Sequence, residues 1–245
     1  MTAHRIERVG PLPVKMRRLT VRSVERPSPR YARVVLEGAD LEGFSSPGPD
    51  DHVKLFFPAP GSTEPDRSRM RDFTPRRFDA NTLTIDFALH GSGLANTWAE
   101  NAKTGSELFV GGPRGSTRVP YDFDWYLLLG DESALPAIAR RLEELPTSAS
   151  VRAFIEVNDE RDVQTLARDV TWLFRHGTPA GTSGLLPKVL RDAKHPRGDG
   201  FIFAAGESNE MREVREALQQ RGHPRDWARV TAYWKRGISD FHEGH

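Results

Sequence analysis

Apolar positions in the first half of the chain recur at every second residue. In Arg17–Val24 (RRLTVRSV), Leu19 and Val21 alternate with polar neighbours. Tyr31–Leu36 (YARVVL), Val53–Phe57 (VKLFF) and Leu83–Leu89 (LTIDFAL) repeat the pattern. A period of two turns one face of an extended strand toward a core. Leu108–Val110 is a shorter apolar run that stops at glycines. Pro-Gly and Gly-Ser clusters separate these runs at short spacing, which predicts an antiparallel sandwich or barrel. One segment breaks the alternation. Gly93–Ala102 carries Leu94, Trp98 and Ala102 at a four-residue repeat, which predicts a helix.

The pattern changes near Pro120. Tyr126–Leu129 (YLLL) is a continuous apolar run that ends at Gly130, and a helical stretch over Ala134–Leu145 follows. Val151–Val157, Val170–Phe174, Gly200–Ala205 and Val230–Trp234 read as further strands. Helical patterns fall over Val163–Arg168, Leu185–Asp192 and Ser208–Arg221. Short buried strands alternating with helices predict a parallel sheet built from βαβ units. The expected organisation is therefore a β-barrel over residues 1–120 and an α/β domain over residues 121–245.

Composition narrows the chemistry. With 37% hydrophobic and 28% charged residues, the chain reads as an ordinary globular protein. Lys plus Arg is 35 and Asp plus Glu is 34, so no global charge draws it to nucleic acid or an anionic membrane. The Arg-rich start (Arg5, Arg8, Arg17, Arg18, Arg22, Arg26) is read as a solvated strand face, not a nucleic-acid arm. No run approaches about eighteen apolar residues, and no apolar segment follows the N-terminal charges, so the expectation is a cytoplasmic protein without membrane insertion. It is also expected to be a monomer. There is no cysteine, which excludes disulfides, Cys-ligated iron–sulfur clusters and Cys-rich zinc sites. The eight histidines fall in no metal-ligand spacing. An electron-transfer function would then need an organic cofactor.

Three motifs carry candidate chemistry in the first half. In Arg71-Asp72-Phe73-Thr74-Pro75-Arg76, an extended backbone projects Arg71 and Phe73 to one face and Thr74 to the other. Asp86–Ala99 runs from a strand through His90-Gly91-Ser92-Gly93 into a helix N-terminus, where exposed amides and the helix dipole suit an anion. Gly111-Gly112-Pro113-Arg114-Gly115-Ser116 follows a strand and lacks the Gly-Lys-Ser/Thr of a phosphate-binding loop. In the second half, Gly130-Asp131-Glu132-Ser133 and Gly206-Glu207-Ser208 each join a strand to a helix, where an open α/β sheet binds ligand. Neither has the Gly-x-Gly-x-x-Gly fingerprint. Each motif is also what an ordinary turn looks like; their order along the chain is the specific signal.

That order (DHVKLFFP, RDFTPRRFD, DFALHGSG, TWAENAKTGSELFVGGPRGS, LLLGDESALPAIAR, FIEV, AGESNEMREVR, VTAYWKRG) resembles the siderophore-interacting protein family over about residues 16 to 238. The resemblance implies an antiparallel, Greek-key-like FAD-binding barrel followed by a parallel-sheet, NAD(P)-binding-like α/β domain. It implies electron flow from NADPH or NADH through FAD to a ferric siderophore. Arg71 would meet the FAD pyrophosphate, Phe73 would pack by the isoalloxazine, and Thr74 would approach its N5 edge, with Asp72 beside them. Asp86, Leu89, His90, Gly93, Leu94, Ala95 and Thr97 would continue the cofactor site. Gly112, Arg114, Gly115 and Ser116 would extend it, as would Asp131, Glu132, Ala134 and Trp234. Lys54, Lys235 and Arg236 match positions that would attract an anionic siderophore. The family usually has Tyr where this chain has Phe73, so stacking survives and a phenolic hydrogen bond is lost. The donor stays open: Glu156 suits a ribose hydroxyl, whereas Arg161 or Arg175 suits a 2′-phosphate. A different acceptor, such as a ferredoxin or quinone, and a binding module that has lost FAD are the competing readings.

Overall fold

The structure is a computed structural model and describes residues 5–59, 61–62, 64–89, 93–239 and 241. The chain divides into two compact units, one of Arg8–Arg118 and one of Met1–Glu7 together with Val119–His245.

In the first unit, β1 (Glu7–Val9) pairs with β9 (Ser116–Arg118) in a small ribbon. The main sheet contains β2 (Met16–Ser28), β3 (Tyr31–Glu37), β4 (Val53–Phe56), β5 (Met70–Phe73), β6 (Pro75–Phe78), β7 (Thr82–Ala88) and β8 (Glu107–Gly111). Its order is β5-β4-β8-β2-β3-β7-β6, antiparallel throughout. The two edge strands, β5 and β6, are consecutive in the chain and separated by Thr74 alone. One residue spans only about 3.5 Å, so the sheet must curl until its edges meet. The alternation seen in the sequence lines the interior: Leu19, Val21, Val34, Leu36, Leu55, Phe57, Ile85, Phe87 and Val110 are buried in one cluster. Helix α1 (Leu94–Asn101) lays Leu94, Ala95 and Trp98 against it.

The second unit holds β10 (Trp125–Asp131), β11 (Val151–Val157), β12 (Thr171–Phe174), β13 (Gly200–Glu207) and β14 (Ala228–Trp234). With them are α2 (Leu135–Glu144), α3 (Leu185–Asp192) and α4 (Ser208–Gln220). The sheet is parallel, in the order β12-β11-β10-β13-β14. Strands β10 and β13 are buried along their whole length, which is why they read as unbroken apolar runs. The order reverses between them, and the C-terminal ends of β10 and β13 flank that switch point.

The helix expected over Val163–Arg168 is absent; the segment is irregular and follows a short turn at Glu160–Asp162. Arg168 explains this. Its guanidinium donates to the carbonyls of Leu142, Leu145, Pro146 and Ala149, at and beyond the end of α2, where carbonyls lack helical partners. Strand β6 was not anticipated, because Pro75-Arg76-Arg77-Phe78 has no alternation to read.

Candidate functional site

The first group of site residues lies at the seam of the barrel unit. Arg71 is half-buried on β5 and donates from Nη1 to the Met70 carbonyl at 2.7 Å. Phe73 is half-buried, with its ring centroid 4.6 Å from that of Phe87 on β7. Phe87 in turn lies 5.6 Å from Trp98 on α1. This aromatic row ties the end of β5 to α1. Thr74 is buried at the link between the edge strands. Asp72 is exposed and binds Lys54 of β4, with Nζ 2.6 Å from Oδ1.

At the start of α1, Gly93 caps the helix without any side-chain hydrogen bond, and no acidic residue occupies the first turn. A Cβ at Gly93 would meet nothing within 4 Å among the described residues. Leu94 and Ala95 face the barrel core, Thr97 is exposed, and Leu89 donates its backbone N–H to the Arg30 carbonyl at 2.7 Å. His90 lies outside the described residues. Gly112 adopts a φ of 91°, a left-handed conformation that favours glycine, and presents its carbonyl to Arg17 at 2.9 Å. Arg114 and Gly115 are exposed beyond it.

Two of the expected cofactor residues, Asp86 and Ser116, are buried in the barrel unit. Asp86 is buried, and its two oxygens accept from Arg33 Nε and Nη2 at 2.8 Å each, with Arg76 Nε 3.8 Å away. Two guanidinium groups thus hold this carboxylate within the barrel sheet. Ser116 is buried, and its hydroxyl has no hydrogen-bond partner among the described residues. Burial pushes the Asp51 carboxyl up, against hydrogen bonds from the Gly48 amide and the Ser46 hydroxyl.

The second group sits at the switch point of the α/β unit. Asp131 is buried at the end of β10, accepting from Trp234 Nε1 at 2.7 Å and from the Ser133 backbone at 2.9 Å. Burial and the charge of Glu132 push its carboxyl up. Gly206, at the matching place on β13, lies so close that a Cβ there would stand 2.9 Å from Asp131 Oδ2. Glu207 is buried and caps α4 by accepting from the Asn209 and Glu210 amides; its other oxygen accepts from the Arg236 amide at 3.1 Å. Ala134 is buried at the start of α2, Lys235 is half-buried and Arg236 is exposed.

Beneath them runs a network the sequence did not announce. Arg175 donates to both oxygens of Glu132 at 2.6 Å each and reaches Glu156 at 3.4 Å. Ser183 donates to Glu156 at 2.6 Å, while the Gly184 amide donates to Glu210 at 2.9 Å. Burial would lower the Arg175 guanidinium, but hydrogen bonds and charge from Glu132 more than offset that and hold it up. Burial pushes Glu156 up to about 7, and pushes Glu210 up as well. Glu156 is wholly buried, and Arg175 is 7% exposed and bound to two carboxylates. Arg161 is exposed and held by Asp159 through contacts at 2.9 and 2.7 Å.

Residues 20–117 match the family model described as "Siderophore-interacting FAD-binding domain", and residues 123–237 match "Siderophore-interacting protein". The chain belongs to the siderophore-interacting protein family. A family relative, the "NADPH-dependent ferric-chelate reductase" of Escherichia coli (strain K12), is 35% identical over 243 residues, covering 90% of this chain and 93% of its own. The "Ferric vibriobactin reductase ViuB" of Vibrio cholerae is 33% identical, over 88% of this chain and 89% of its own. A solved structure, "a siderophore utilization protein from T. fusca", superposes with a TM-score of 0.90 at 42% identity, over 96% of this chain and 99% of that one.

The residues of this family member fit FAD. A dinucleotide flavin needs an anion site, an apolar surface for a flat ring and donors at the ring edge. The N-terminus of α1, with no acidic residue in its first turn, and the cation Arg71 would suit the first, half-buried Phe73 the second and Thr74 the third.

Proposed function

We propose that this protein is an oxidoreductase that moves electrons from NADPH, through FAD, to iron(III) held by a siderophore, acting in the cytoplasm as a monomer. The observation that carries this reading is the placement of Arg71, Phe73 and Thr74 at the seam of the barrel, where chain connectivity forces two sheet edges together. Bound FAD supplies the conversion between a two-electron donor and a one-electron acceptor. Arg71 and the α1 N-terminus neutralise the diphosphate. Phe73 gives the ring an apolar support that carries no proton of its own. Thr74 holds a hydrogen bond at the ring edge.

Hard oxygen donors bind iron(III) far more tightly than iron(II), so one-electron reduction loosens the metal and needs no protein ligand. Lys54, taken on the barrel unit alone, is a cation suited to attract such complexes, many of them anionic; on the α/β unit, Lys235 and Arg236 are separate cations of the same kind. The donor meets the α/β unit at the ends of β10 and β13. NADPH is named as donor by analogy with the E. coli relative, and Arg161, exposed and paired with Asp159, is a cation that could meet its 2′-phosphate by giving up that partner.

The test is anaerobic absorption spectroscopy of the FAD-loaded protein. NADPH should bleach the flavin bands near about 375 and 450 nm. A ferric trihydroxamate should restore them, with iron(II) appearing in a chromogenic chelator. A protein that takes up no FAD would end the redox reading. A flavin that NADPH bleaches but ferric complexes leave reduced would move the acceptor to another class.

A further inference from the structure

The ladder between β4 and β5 sets Lys54 directly opposite Asp72, flanked by the pairs Val53–Phe73 and Leu55–Arg71. Lys54 and Asp72 meet on that ladder at 2.6 Å, with 28% and 31% of their side chains exposed. Asp72 is thus threaded between Arg71 and Phe73, both assigned to the flavin, while its own side chain faces the lysine assigned to the acceptor. Among the described residues the Lys54 ammonium has Asp72 as its hydrogen-bond partner.

We propose that Asp72 sets the charge selectivity of the acceptor site by neutralising Lys54, so that ferric complexes of zero net charge compete with polyanionic ones. The inference rests on the ferric-complex reading above. An approaching trianion meets an ion pair and not a free cation. The field of a pair falls off faster with distance than that of a single charge, and a catecholate oxygen that reaches Nζ meets the repulsion of the adjacent Asp72 carboxylate, which already holds one of the lysine's N–H donors. A neutral complex feels neither effect, so its affinity depends on shape and apolar contact alone. Asp72 therefore broadens the range of chelates at the expense of affinity for the most charged ones.

The test uses the full-length, FAD-loaded protein and gallium(III) complexes, which the flavin cannot reduce, titrated by calorimetry. One probe is a gallium tris-catecholate of net charge −3, the other a neutral gallium trihydroxamate. Asp72→Asn should tighten the tris-catecholate about five-fold at low salt and leave the trihydroxamate within about two-fold, the gain shrinking as salt screens it. Lys54→Met should weaken the tris-catecholate alone. If the wild type binds and Lys54→Met weakens the trianion, yet Asp72→Asn changes nothing or shifts both probes equally, the role of Asp72 is overturned and the acceptor site stands. If neither complex binds the wild type, or Lys54→Met is without effect, the assignment of the acceptor site falls and this inference falls with it.

Discussion

Glu156 shows how far one side chain can depart from its sequence reading. It is wholly buried and faces Ser183, Arg175, Glu210 and Asp131. Its carboxyl titrates at about 7 in the folded chain against 4.5 for an ordinary glutamate. Below the ordinary value both states hold the proton and stability is full. As pH rises through 7 the unfolded chain has already released its proton, so stability falls, by about 3 kcal/mol once complete. Glu156→Gln keeps a neutral group in place. Urea unfolding at about pH 5 and about pH 8 should show a smaller decline for the variant than for the wild type. Some slope remains, because Asp131 and Glu210 are also pushed up. Asp86 makes the complementary case. Arg33→Met leaves its buried carboxylate without the bidentate partner, and denaturant melts should show a loss of about 3–5 kcal/mol. Neither arrangement was legible in the sequence. Arg33 and Asp86 are 53 residues apart, Arg175 and Glu132 are 43 apart, and no local spacing announces such pairs. The motif Arg71–Thr74 was legible because its chemistry is contiguous.

Regular elements were read well wherever burial imposed a clear period. Strand β11 and helix α3 occupy the expected residues, since each pattern runs unbroken between turn residues. Short or polar elements escaped. Strand β6 has no alternation, and the Val163–Arg168 segment is decided by the grip of Arg168 on carbonyls more than sixteen residues away in the chain. Close packing between strands is likewise invisible until side chains are placed. At Gly200, the first residue of β13, a Cβ would stand 2.0 Å from the Trp125 ring, which cannot yield without leaving the core. Gly200→Ala should therefore destabilise the α/β unit by about 3 kcal/mol. Intrinsic tryptophan fluorescence followed through denaturant unfolding checks both the energy and the displaced indole.

For the whole molecule, the expected fold class, an antiparallel barrel and a parallel α/β sheet, describes the two larger sheets among the described residues, and the near balance of charge leaves recognition to local groups. Cofactor and fold are linked by mass action. FAD at a hundred times its dissociation constant adds about 2.7 kcal/mol to the stability of the state that binds it. Thermal melts with and without FAD should separate accordingly, and Phe73→Ala should narrow the separation. The deeper reason lies in the link at Thr74. Among the described residues no hydrogen-bonded ladder joins β5 to β6. The barrel is thus a hoop whose clasp is a single peptide link flanked by the residues proposed to hold the flavin. A ligand seated on that clasp fastens the hoop while it binds. Amides of β5 and β6 should then be the first to exchange with deuterated solvent in the cofactor-free protein, and among the most slowed when FAD is added.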